Sequence, residues 1–169
     1  QFIGQRCKDK QDETERVRQR FGQRRCIWIA ETGRLWEPKH IFSASVSYLA
    51  PWRAWLGEAN PGLDVLGRRR EPDIADLCAV LDEIAKTKVA PLPSADREIV
   101  LRILRRLYEM PGEIPPDVKV LTQQQQLAPA PSVYLDDVPW RHILAEKAGL
   151  LLLDSDAPRA FPDIDKRSE

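Results

Sequence analysis

"CIWIAETGRLWEPKHIF", residues 26 to 42, decides how this chain folds. Ile27, Trp28 and Ile29 are β-branched or aromatic, "ETGR" supplies a turn containing glycine, and "LWEPKHIF" resumes an apolar pattern. That succession predicts a β-hairpin, with Pro38 confining the second strand to an edge or an early end, because proline has no N–H to give to a sheet ladder.

Before the hairpin, residues 5 to 25 carry eight Lys or Arg and four Asp or Glu, with Cys7, Val17 and Phe21 the only sizeable apolar groups. Such a stretch buries little and reads as a charged helix or flexible lead-in, its basic excess a solvated face. After the hairpin, "YLAPWRAWLG" spaces Tyr48, Leu49, Trp52, Trp55 and Leu56 by three and four. This predicts a short helical stretch that buries both tryptophans on one face and ends at Gly57. "EANPGLDVLGRRREP" reads as a loop touching the core through Leu63, Val65 and Leu66.

Two helices follow. Pro72 suits a first turn, and Ile74, Leu77, Cys78, Leu81 and Ile84 repeat at helical spacing. After "VAPLP", Ser94 is a candidate N-cap, and Ile99, Val100, Ile103, Leu104, Leu107 and Tyr108 form a wide apolar stripe that ends at Pro111-Gly112. Their short connection favours an antiparallel pair packed on strands. "VKVLT" and "LAPAPSVYL" supply such strands, joined by Gln123 to Gln126, and "LLLL" at 150 to 153 a last buried one. Leu127, Val133 and Tyr134 keep the spacing of Leu35, Ile41 and Phe42, which reads as two copies of one strand–turn–extended device.

The fold class expected is therefore α+β, with short strands and hairpins forming a small sheet packed by an antiparallel helix pair. Residues 1–25 are the lead-in, 26–153 a single module and 154–169 a polar tail.

Composition narrows the function. The 26 Lys and Arg balance 26 Asp and Glu, so no net field draws the chain to nucleic acid or an anionic membrane. Cys7, Cys26 and Cys78 form neither a disulfide framework nor a zinc motif, which favours a reducing, cytoplasmic setting. No apolar run is long enough to span a bilayer and the start is too charged for a signal peptide. Gln1 in first place fits a segment of a longer polypeptide.

Catalytic, metal and cofactor motifs are expected to be absent. His40 and His142 lack a nucleophile motif nearby and read as surface or rim histidines. Asp154 and Asp156 in "DSDAP" lack the glycine and terminal glutamate of a calcium loop, and none of the eight glycines sits in a phosphate-binding pattern. Arg24-Arg25, Arg68, Arg69 and Arg70, and Arg105 and Arg106, could form a basic surface for nucleic acid, although Glu98 and Glu109 beside the last pair mark a solvated helix face. In "YLDDVPW", residues 134 to 140, the pair Asp136 and Asp137 reads as a strand end and helix cap ahead of Pro139 and Trp140 rather than a catalytic dyad.

Taken in order, "CIWIAETGRLWEPKHIF", "YLAPW", "EPDIADLCAVLDEIA" and "VYLDDVPW" resemble the sacsin-type repeat region of large proteins that carry an HSP90-like ATPase domain. The resemblance runs from about Cys26 to Trp140 and departs after Leu153, where the family's His-Pro strand end is replaced by "LDSDAP". It implies a non-catalytic module C-terminal to an ATP-binding domain, with Trp28, Pro38, Trp52, Asp136, Asp137, Pro139 and Trp140 as structural positions. It also implies chaperone-like or scaffold work on protein partners or on other domains of the same polypeptide, with no cofactor in this segment. The alternative is a nucleic-acid-associated module of a defence or processing protein using the arginine clusters, and a small enzyme stands third.

Overall fold

A computed structural model of the chain describes residues 11–43, 46–57, 60–136 and 141–158. Asp137, Pro139 and Trp140 of the expected motif lie outside the described residues, as does Cys7. The structure is α+β, as expected, and the residues foreseen as one module are divided between two compact units, Gln1–Pro72 and Asp73–Glu169.

In the first unit, α1 (Gln11–Phe21) leads into β1 (Ile27–Ile29) and β2 (Arg34–Trp36). These pair antiparallel, Trp28 opposite Leu35 and Ile27 opposite Trp36. A 3₁₀ turn at Ala30–Thr32 joins them, and Gly33 completes it at a left-handed φ of 62° that few other residues adopt without strain. Successive strand side chains alternate faces, so Ile29 and Trp36 enter a core with Ile41 and Ala54, while Ile27 and Leu56 pack at its margin. Trp36 donates its indole N–H to Thr32 Oγ1 at 2.7 Å, and the Arg34 guanidinium lies over its ring at 3.8 Å. Pro38 does end the strand. It opens a 3₁₀ turn, Pro38–His40, that feeds β3 (Ile41–Phe42).

β3 pairs parallel with β4 (Ala54–Trp55) across a 3₁₀ turn at Ser47–Leu49. The helical stretch expected here is thus replaced by a turn and a strand. Pro51 explains it: proline offers no N–H to a helix, and its ring disfavours helical geometry in the residue before it. Trp52 and Trp55 consequently do not share a buried face; Trp52 is half-buried and Trp55 exposed.

The segment read as a loop is helix α2 (Pro61–Leu66). Asn60 caps it by accepting from the Leu63 N–H, Pro61 occupies the first turn, and Gly67 ends it by donating to the Asp64 and Leu63 carbonyls. α1 and α2 pack on each other, and Arg18 Nε donates to the Val65 carbonyl at 3.3 Å.

The second unit begins with α3 (Ile74–Thr87), whose start is a reciprocal cap between Asp73 and Asp76. α4 (Ser94–Glu109) follows, with Ser94 inside the helix and Pro93 in the capping position, so the serine makes no side-chain cap. α3 and α4 pack on each other and both pack on β5 (Lys119–Leu121), while α3 also packs on β6 (Leu127–Pro129). β5 and β6 form an antiparallel hairpin in which Val120 faces Ala128. A 3₁₀ turn at Ala130–Ser132 then leads to β7 (Val133–Tyr134), which pairs parallel with β8 (Leu151–Leu152) across α5 (Arg141–Ala148).

The two units therefore run through the same succession of antiparallel hairpin, 3₁₀ turn, short strand and parallel partner strand. Ile27 corresponds to Lys119, Pro38 to Ala130 and Ile41 to Val133, all at one sequence interval. The pairing of Leu35 with Leu127 suggested by spacing slips by one. The second hairpin tip, Thr122–Gln126, is a residue longer than Ala30–Gly33, so the register counterpart of Leu35 is Ala128.

Candidate interaction surface

Alternation along β1 and β2 sends Ile29 and Trp36 inward and Trp28 and Leu35 outward. Trp28 is 61% exposed and Leu35, directly opposite it in the ladder, is 47% exposed. Two large apolar side chains thus form one cross-strand pair on the solvent side of a hairpin, where polar residues are the norm. Val120 and Ala128, the corresponding pair of the second unit, are 0% and 5% exposed.

The remaining expected positions are distributed differently. Pro38 is buried at the head of its 3₁₀ turn, and Asp136 is exposed, accepting from Gln123 Nε2 at 3.1 Å. Asp136 thus belongs to the network around the hairpin tip of the second unit.

Of the arginines expected as a basic surface, Arg68 is withdrawn from it. Its buried guanidinium binds Asp64 at 2.8 Å and the Leu56 carbonyl at 2.9 Å, which satisfies a charge that could not otherwise leave water. Arg69 lies 5.6 Å from the Phe42 ring and its backbone continues the β3 edge, accepting from the Ser43 N–H. Arg70 is exposed in the same unit, whereas exposed Arg105 and Arg106 belong to the other.

Asp154 and Asp156 do converge, but on an arginine. Arg97 Nη2 binds Asp154 at 2.9 and 3.1 Å and Asp156 at 2.6 Å, and these carboxylates hold its guanidinium pKa above the ordinary value. The expected polar tail therefore begins with a buried residue packed into the second unit. Among the described residues no group of three or more His, Cys, Asp or Glu is placed to hold a metal ion. No helix of the described residues is long and apolar enough to cross a membrane.

Burial pushes the Cys78 thiol up to about 11, and Asp82, Asp117 and Asp73 push it in the same direction. It stays protonated at neutral pH and lacks the thiolate that nucleophilic chemistry needs. Burial also raises the exposed Cys26. His40 takes part in the first unit's electrostatics. Burial alone would raise Glu37, but Lys39, His40 and Arg25 outweigh it and hold that carboxyl low.

No family model, curated protein or solved structure matches this chain.

The alternation of "CIWIA" carried the signal for the outward tryptophan, since Trp28 stands between two residues that both face inward or to the core margin. Nothing in the sequence marked the Arg97 clamp, whose partners lie far along the chain and meet only through the fold.

Proposed function

We propose that this chain is a non-catalytic interaction or scaffold module of a larger, sacsin-like, HSP90-related polypeptide acting in the cytoplasm. It does chaperone-like work by contact with protein partners or with other domains of its own polypeptide, and takes no cofactor itself. The observation that carries this reading is the exposed Trp28–Leu35 pair. It lies in the stretch that opens the resemblance, and exposed aromatic residues backed by a rigid strand pair are what protein recognition uses.

Two measurements test the reading. The parent reading frame should encode an HSP90-like ATP-binding domain ahead of this segment. Deleting residues 26–153 from the parent should leave ATP hydrolysis in place while abolishing its ability to suppress aggregation of a heat-unfolded test protein. ATP hydrolysis by the isolated segment, above background and lost on Asp137→Ala, overturns it. DNA or RNA binding with a steep salt dependence would transfer the assignment to the alternative based on the arginines.

A further inference from the structure

The duplicated topology gives the first hairpin a counterpart for comparison. In the second unit the outer pair, Val120 and Ala128, is sealed, and helices α3 and α4 pack on that hairpin, whose end is also bridged by Leu153 at Thr122. In the first unit the same register position holds Trp28 and Leu35, both open to solvent. We propose that the Trp28–Leu35 face is a docking surface for an amphipathic helix pair of the α3–α4 type, supplied by a neighbouring repeat of the same kind. The inference rests on the interaction-module reading and names the partner that reading leaves open.

Size and charge both support this occupant. A helix pair joined to its hairpin through the short segment 110–118 has little docking entropy to overcome, so Val and Ala suffice there. A pair arriving from farther away must offset a larger loss of freedom, and the bigger apolar contact of Trp and Leu provides for that.

The charged residues follow the same register. Arg25 corresponds to Asp117, two residues before each first strand. Asp117 lies close enough to α3 to act electrostatically on Cys78. Residues at this position therefore stand beside the covering helix. Arg24 and Arg25 are both exposed, so the partner pair should carry an acidic residue where α3 carries Cys78.

The test places a second copy of residues 73–112 ahead of residue 11 through a flexible linker in the full chain. Linking raises the local concentration of the pair to about the millimolar range, so a weak contact still forms. With fluorotryptophan incorporated and the Trp28 resonance assigned by Trp28→Phe, the solvent-isotope shift of that resonance should fall on linking. The resonances of the other tryptophans should stay in place.

Carrying Cys78→Glu in the added copy should tighten docking, and Arg25→Glu just before the hairpin should cancel that gain. Leu35→Ser should weaken docking about tenfold or more, while Ile29 and Trp36 keep the hairpin folded. An unchanged Trp28 resonance overturns the proposal. So does exchange of the added helices onto β5–β6. Protection of Trp28 that rises with protein concentration in the unlinked chain also overturns it, by assigning the face to a second copy. Each of these failures leaves the parent's ATP hydrolysis and aggregation assays untouched, so the occupant and the broader reading fail separately.

Discussion

Arg97, in the first turn of α4, binds buried Asp154, which follows β8, at 2.9 Å and so ties the start of a helix to the end of a strand across the second unit. Asp154 also accepts from the Asp156 N–H at 2.9 Å, which fixes the turn after the strand. Removing Asp154 leaves the guanidinium without its inner partner. Asp154→Ala should lower stability by about 2 kcal/mol, less than a fully buried pair would lose because Arg97 is partly exposed. Asp156→Ala, at an exposed carboxylate, should cost under about 1 kcal/mol. Urea unfolding of both variants checks the order, and equal losses would contradict the inner and outer roles.

Asp73 and Asp76 satisfy each other's backbone N–H groups at 2.9 Å in both directions. Asp73→Ala removes one acceptor and should cost about 1 kcal/mol, with Asp73→Asn retaining most of it. Thermal midpoints of the pair read this directly, and a midpoint equal to wild type for the alanine variant removes the cap.

Gly22 sits where α1 ends against α2. A Cβ there would come within 2.6 Å of the Arg18 carbonyl oxygen and 3.1 Å of the Leu66 carbonyl oxygen, both backbone atoms that cannot swing aside. Gly22→Ala should therefore cost about 1–3 kcal/mol. The cost should appear first as faster amide exchange along α1. Unaltered exchange would mean that the two helices separate freely.

Cys78 gives a pH dependence. Its folded thiol is raised from 9.0 to about 11, so the unfolded chain releases this proton at lower pH than the folded chain does. Its contribution is fully present below pH 9 and is lost as pH rises towards 11. The loss should be about 1 kcal/mol once the partial exposure of the group is allowed for. Stability measured from pH 8 to 11 should fall more in the wild type than in Cys78→Ala. Parallel curves would show that the thiol titrates normally.

Much of this fold is legible in local chemistry. The hairpin of residues 27–36 follows from β-branched residues around a glycine turn, and α3 and α4 from apolar residues at helical spacing. The spacing in "YLAPWRAW" points to a helix, but Pro51 breaks the pattern that Trp52 and Trp55 suggest. α2 was hidden by its length, yet Asn60, Pro61 and Gly67 are start and stop signals in the right order. The exposed face was half legible: alternation sends Trp28 away from Ile29, but the partner across the ladder depends on the turn register. Arg68 could not be told from its neighbours Arg69 and Arg70, because burial against Asp64 and Leu56 is a property of the fold.

The extra residue in the tip Thr122–Gln126 has a consequence for engineering. The segment between the second strand of the hairpin and the following 3₁₀ turn is Glu37 in the first unit and nothing in the second, so the longer tip is absorbed before Ala130. Gln125, at a φ of 54°, lies within that longer tip. A one-residue difference at this tip is thus not transmitted to the frame downstream, but the tip itself is anchored, the Gln123 N–H on the Leu152 carbonyl and the Gln125 carbonyl on the Leu92 N–H, each at 2.8 Å, so a tag or reporter spliced into the run of glutamines would pull on β8 and on the segment ahead of α4.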